Sequence, residues 1–254
     1  MSVVLSDLSV AVLLFCLLLG SLEAGFRLGR RALDRDADTL SQIGTIQGAI
    51  LGTLGLLLAF SFAAAGTRFI ERQDLIVQEA NAIGTAWLRA ALLDEPHRSE
   101  LRQTLESYTA HRIAVFAGNA GGLDPGKLDE VDPLHARIWS AALAGVEQRP
   151  AATLAVLPPV NEVIDLHSTR LAAANKHIPY LVLALLVACS ALALGVMGYG
   201  CGVAGRLRAP LTYSLAFLIG TALWVTIDLD YPRRGVIRLN DAPLEALHFE
   251  RPAQ

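Results

Sequence analysis

Two acidic residues, Glu71 and Asp74, follow closely on a stretch of 23 residues, 43–65, that carries no charge. Carboxylates in such a place can do ion chemistry, because acidic rings concentrate cations and repel anions. Helical geometry decides whether they share a face with the residues before them. At about 100° per residue counted from Leu56, Phe60 falls at about 40°, Thr67 at about 20°, Glu71 at about 60° and Asp74 at about 0°. Arg68 and Arg72 fall at about 120° and 160°, off that stripe. In a symmetric oligomer the stripe would form an apolar neck at Leu56 and Phe60, holding back ions by dewetting, and then a vestibule of Thr67, Glu71 and Asp74. Two readings of the acids stay open. Either they form rings, or Glu71 pairs with Arg68 or Arg72 of an adjacent helix and carries little field; bending or supercoiling over 18 residues also shifts the angles. Gly44, Gly48 and Gly52, spaced by four, either let helix backbones approach closely or leave width along the same face.

No other grouping offers chemistry. His97, His111, His135, His167, His177 and His248 show no H-E-x-x-H or related ligand spacing, and their pattern predicts solvated surface positions. Cys16, Cys189 and Cys201 fall in or beside apolar stretches, where cysteine acts as a small hydrophobe; they give no disulfide framework and no metal site. Nothing resembles a Ser/His/Asp set, a phosphate loop or a paired-carboxylate site, so neither catalysis nor a cofactor is expected. The formal net charge is −3 and no basic run exceeds Arg30-Arg31 or Arg233-Arg234, which excludes nucleic acid as a partner.

The elements that would position the stripe are helical. With 53% hydrophobic residues and a mean hydropathy of +0.45, the chain reads as a membrane protein in contact with lipid. Four apolar segments, 3–22, 43–65, 178–203 and 210–229, are free of Lys and Arg and long enough to span a bilayer. The first lacks a basic n-region and a small-residue cleavage site, and is read as a retained span. Between segments one and two, the mixed charges of residues 23–42 predict a short helical or hairpin connection. Segment two continues without proline as far as Pro96, so one helix of about 75 Å runs over residues 43–93, out of the membrane and into water.

Domain organisation follows: spans one and two over 1–65, a soluble helical domain over 66–177, spans three and four over 178–229, and a tail over 230–254. Within the soluble region, Pro96 predicts a helix to about Ala117, and residues 118–126 a glycine-rich loop. Asp132-Pro133 caps a helix ending near Gln148, and Pro158-Pro159 starts one that runs on towards segment three with a bend at Pro179. Trp87 and Trp139 are expected in the core of that region. The run Gly195, Gly198, Gly200, Gly202, Gly205 is expected to loosen the end of segment three. The tail is expected to lie extended on the soluble helices, anchored by Leu244, Leu247 and Phe249.

Two motifs resemble a known family, the divergent bacterial relatives of the bestrophin channels. The first is LGLLLAFSFAAAGTRFIER, where Leu54, Gly55, Leu58, Ala59, Phe60, Arg68, Phe69 and Glu71 match the family's second helix. The second follows the last apolar segment: Asp228, Asp230, Pro232 and Gly235, then Asn240, Asp241, Pro243 and Leu244, similar to an acid-rich P-x-G and an N-D-x-P-L signature. The resemblance implies a homopentamer in the plasma (inner) membrane, with a central ion pore lined at its neck by Gly52, Leu56 and Phe60. Gly52 departs from the bulky apolar residue usual there, which leaves two rings instead of three. Animal members bind calcium through an acidic cluster after the last span; here the acids are scattered with Arg233 and Arg234 between them, and calcium gating is not expected.

Two functions are compatible with these residues. One is an oligomeric ion channel with a weak lean towards cations; the other is a non-conducting four-span sensor or scaffold with a helical partner-binding domain. An even number of spans puts the termini and the soluble domain on one side, which the resemblance makes cytoplasmic. Arginines in the short connectors argue weakly for the reverse orientation.

Overall fold

The computed structural model describes residues 2–32, 37–117, 130–205, 209–233, 235–247 and 249. Its helices are α1 (Ser2–Arg30), α2 (Ala37–Arg89), α3 (His97–Ala117), α4 (Val131–Gln148), α5 (Thr153–Asn175), α6 (Tyr180–Val203), α7 (Ala209–Asp230) and the single turn α8 (Ala242–Glu245). Short 3-10 turns cover Ala90–Leu92 and Pro150–Ala152. No strand occurs among the described residues. Four helices are long and apolar enough to cross a membrane. Two of the segments carrying them, Asp38–Leu92 and Pro150–Val203, are 55 and 54 residues long, the second interrupted at residues 176–179. A bilayer needs only about 20, so the charge-free stretches 43–65 and 178–203 are the parts read as spanning.

The chain forms two compact units, one of Met1–Arg68 with His177–Ile237 and one of Phe69–Lys176 with Arg238–Gln254. The first is held by α1, which aligns Leu14, Leu18 and Leu22 on one face against Leu186, Ala193 and Leu194 of α6 and Ala216, Ile219 and Leu223 of α7. Towards the end of this face, glycines replace leucines. A Cβ built at Gly25 or Gly29 of α1, or at Gly198 or Gly202 of α6, would overlap backbone atoms of the facing helix. Gly198 and Gly202 of α6 are therefore part of a contact seam, since only hydrogen on Cα lets the backbones approach this closely, while Gly205, with φ +73°, follows the helix end as a turn residue. Helix α1 also continues to Arg30, through the first part of the expected connector, with Arg27 bonded to Glu23 one turn back at 2.7 Å. Residues 33–36 of the connector, the loop 118–126, Arg206, Arg208, Arg234, His248 and the end of the tail lie outside the described residues.

The second unit packs apolar positions three and four apart: Ile76, Ala80, Ile83 and Trp87 of α2, Leu101, Leu105 and Tyr108 of α3, Ile138, Ala142 and Val146 of α4, and Val156, Val160 and Val163 of α5. Leu244 of α8 is inserted among them, with Leu247 and Phe249 packed alongside. Sequence-based expectations need correction at four points. Helix α4 starts at Val131, with Asp132 in its first turn and no side-chain cap. Helix α5 starts at Thr153 and carries Pro158 and Pro159 inside it. Pro159 lacks the N–H that would bond the Ala155 carbonyl, and Arg89 donates to that carbonyl instead, at 3.0 Å. The chain does not bend through Pro179: α5 stops at Asn175 and α6 begins after Pro179, which disfavours helical backbone at the residue before it. Trp87 is buried as expected, but Trp139 is 38% exposed.

Candidate functional site

Within the first unit, the face of α2 that carries the expected neck meets no other described residue over most of its length. Leu56 and Phe60 are 57% and 67% exposed. A methyl group added to Gly44, Gly48 or Gly52 would find no atom of the other described residues within 4 Å beyond its own helix backbone. Thr45, Ala49, Thr53, Ala59, Ala63 and Ala64 are exposed as well. The threonine hydroxyls of Thr45 and Thr53 bond back to the carbonyls of Ser41 and Ala49, each at 3.0 Å, so they are satisfied without water. Other helices of this unit turn large side chains outward: Val10, Leu13 and Leu17 of α1, Leu181, Leu185 and Leu192 of α6, Leu211, Phe217 and Leu218 of α7. The α2 face is made mainly of small residues, interrupted by Leu56 and Phe60 and flanked by the exposed Ile46 and Phe62. Gly44 also borders a cleft of about 400 Å³ lined by Ile43, Gln47, Met197, Gly200 and Thr212.

Further along α2, Thr67, Glu71 and Asp74 are exposed. The two arginines beside them point elsewhere. Arg68 donates its Nε to the buried Asp230 carboxylate at 3.2 Å. Arg72 is buried and donates Nε to the Ala173 carbonyl at 3.0 Å and Nη2 to the Lys176 carbonyl. Among the described residues neither Glu71 nor Asp74 has an ion-pair partner.

The acid-rich motif at the end of α7 is an anchoring device. Asp230 is fully buried and accepts the backbone N–H of Ile178 at 2.8 Å in addition to Arg68. His177 contacts the Asp230 carbonyl at 2.9 Å and stacks on Tyr231 with ring centroids 4.3 Å apart. Asp228 accepts the N–H groups of Val236 and Ile237 at 2.9 and 2.8 Å, folding the chain after Pro232 back over the helix end. Gly235 lies directly beneath that carboxylate, where any Cβ would collide with it. Both acids thus spend their lone pairs on protein donors. Among the described residues no group of three or more His, Cys, Asp or Glu is placed to hold a metal ion.

Asn240 and Asp241 clip the tail to the second unit. Gln73 of α2 exchanges two hydrogen bonds with the Asn240 backbone, at 2.9 and 2.8 Å, while the Asn240 side chain accepts from Ala242 N–H at 2.9 Å. Asp241 approaches Arg170 at 3.8 Å, and Pro243 occupies the first turn of α8, presenting Leu244 to the core.

A buried charged centre in the same unit is absent from the sequence-based expectations. Glu79 is fully buried and accepts from Tyr108 Oη at 2.7 Å, from Arg112 Nε at 2.8 Å and Nη2 at 3.3 Å, and from Arg170 Nη1. Burial pushes the Glu79 carboxyl up, but Arg112, Arg170 and the Tyr108 hydroxyl outweigh it and hold the group below its usual range. Burial beside this carboxylate raises the Tyr108 phenol well above its ordinary value. His135 and His167 complete the cluster; His167 is only 8% exposed, which corrects the expectation of a solvated surface histidine. A signal was present in the sequence. Glu79, Arg112 and Arg170 each occupy an inward position of an amphipathic helix, three or four residues from Ile76 and Ile83, Tyr108, and Leu166.

An all-helical chain with four membrane-capable helices and a separate, charge-centred helical unit defines a multi-pass membrane protein. A family model for the bestrophin-like domain matches residues 10–244, and the chain belongs to the bestrophin-like family. No curated protein and no solved structure matches it.

Proposed function

We propose that the protein is a homo-oligomeric ion channel, with five copies as the family resemblance implies, in which the exposed face of α2 lines the central passage. The observation that carries this reading is the composition of that face. Lipid-facing helices fill their surroundings with large side chains, whereas Gly44, Gly48, Gly52 and the alanines would leave voids against acyl chains. Such a face fits neighbouring copies of α2 around an axis. Gly52, Leu56 and Phe60 would then form the neck, with the two bulky residues closing it by dewetting. Gly44 and Gly48 would give either close helix contacts or a wide approach.

Thr67, Glu71 and Asp74 would follow as the vestibule. Because Arg68 and Arg72 are engaged with Asp230 and with carbonyls, the paired-acid alternative loses its nearest partners, which supports a lean towards cations. The second unit and the tail are assigned to the cytoplasmic side of a plasma (inner) membrane on the family resemblance. The non-conducting sensor or scaffold reading leaves the small-residue face unexplained.

The test is ion flux from proteoliposomes together with particle symmetry in detergent. Fivefold particles and a flux that rises at least several-fold in Phe60→Ala support the neck. A monomer or dimer, or no flux in either form from intact oligomers, refutes the channel.

A further inference from the structure

The buried centre of the second unit contains two imidazoles, each with a buried nitrogen that no described residue bonds. His135 and His167 stand edge to face with ring centroids 5.0 Å apart, and Tyr108 lies 5.3 Å from His135 on the other side. Nε2 of His135 and Nδ1 of His167 are buried without a hydrogen-bond partner among the described residues. Orphaned buried polar atoms are rare and point to a use beyond packing. These two can each take a proton.

We infer that the His135–His167 pair is an acid-sensitive lock, whose protonation opens the packing of α4 against α5 around the buried Glu79 centre. Every element packed on the pair supplies a charge or a titrating group. Helix α2 supplies Glu79, α3 supplies Tyr108 and Arg112, α4 supplies Asp132, and α5 supplies Arg170, whose charge is shared with Asp241 of the tail. Arg112 and Arg170 already balance Glu79 and Asp241, and Asp132 is exposed to water, so a proton arriving on either imidazole brings an extra cation into a largely buried cluster. It cannot be neutralised by Glu79 without taking that carboxylate from its arginines. The low-cost response is to let water in between α4 and α5. The tail lies in the path of such an opening, since Asp241 is bound to the same Arg170.

The shifts agree with this geometry in direction. Burial, Arg112 and the neighbouring His135 push His167 down to about 4, and burial also lowers His135. A histidine held below its free value, about 6.5, stabilises the folded form fully above pH 6.5, and that stabilisation is lost as pH falls from 6.5 to about 4. For His167 alone this amounts to a change of roughly 300-fold in the unfolding equilibrium across that window. Glu79 acts in a different window, because its lowered value removes stability only below the ordinary carboxylate range.

The experiment follows thermal unfolding of the full chain in detergent micelles from pH 8 to pH 4.5 by near-ultraviolet circular dichroism. The wild type should hold a constant midpoint above pH 7 and lose it progressively below 6.5. The His135→Phe/His167→Phe double variant keeps the aromatic packing without the protons, and its midpoint should stay flat to about pH 5. Should the double variant fail to fold, His167→Gln carries the same comparison with a smaller loss of pH dependence. A wild type that is flat from pH 7 to 4.5, or variants that fall as steeply as the wild type, overturns the lock.

Discussion

Glycines at two places in the first unit should respond oppositely to one added methyl group. At Gly198 of α6 a Cβ would lie 2.9 Å from the Phe26 nitrogen and 3.0 Å from the Leu22 carbonyl carbon, besides overlapping the Leu22 carbonyl oxygen. Non-bonded contacts need about 3.5–4.0 Å, so α1 and α6 must part by about 1 Å or shift along each other. That displacement would loosen the contacts of Leu18 and Leu22 with Leu194, whose side chains are buried in the same core. Overpacking a tight core costs about 1–3 kcal/mol, and a backbone obstacle cannot swing aside as a side chain can. Gly48 of α2 has open space where the methyl would go, and there Ala gains up to about 1 kcal/mol of helix propensity. Thermal unfolding in detergent with size-exclusion profiles should therefore show Gly198→Ala with a lowered midpoint, and Gly48→Ala at or above the wild type as an isolated chain. If copies of α2 face each other, Gly48→Ala should additionally change the oligomer yield or the ion flux. A Gly198→Ala protein as stable as the wild type would refute the seam, and with it the assignment of close packing to α1 and α6.

Two further outcomes are expected. Leu244→Ala removes a side chain that is 1% exposed in the second unit's core and should destabilise that unit by about 2–5 kcal/mol; a loss below about 1 kcal/mol in urea unfolding would mean that the tail is only laid on the surface. Neutralising the vestibule with Glu71→Gln and Asp74→Asn should move the reversal potential under a salt gradient towards anions, with the effect shrinking as salt shortens the field's reach; an unchanged potential removes both acids from selectivity.

Long elements were legible because their signals are long. Residues 43–65 lack charge and 67–93 lack proline, and α2 does run unbroken from Ala37 to Arg89. The apolar anchors Leu244, Leu247 and Phe249 were legible from an apolar triplet in a polar tail, and they pack into the core. Errors arose where a residue has two physical uses. Glycine both frees a backbone and lets helices touch, and only the facing residues tell which applies: Gly198 and Gly202 of α6 touch α1, Gly205 frees the turn after it, and Gly44, Gly48 and Gly52 of α2 stand open. Proline starts helices more often than it interrupts them, yet Pro159 sits inside α5 because Arg89, 70 positions earlier in the chain, covers the vacant carbonyl. No local pattern carries that information. His167 was misjudged for a similar reason, since ligand spacing detects metals and is silent about an imidazole held beside a buried ion cluster.

The two arginines on α2 connect these levels. Arg68 and Arg72 follow an apolar stretch and on sequence grounds could equally neutralise Glu71 or serve as surface charges. In the folded chain Arg68 is committed to a carboxylate that also holds Ile178, and Arg72 to two carbonyls, those of Ala173 near the end of α5 and of Lys176 just after it. The carbonyls at a helix C-terminus lack intrahelical donors and carry partial negative charge, so a buried guanidinium there is doubly stabilised. Engaging both cations with partners in their own chain leaves Glu71 and Asp74 as the exposed charges on this stretch of α2. The asymmetry of charge around the helix thus follows from how the chain satisfies its own helix ends and its buried Asp230. The exposed acids of α2 are accordingly a property of each single chain.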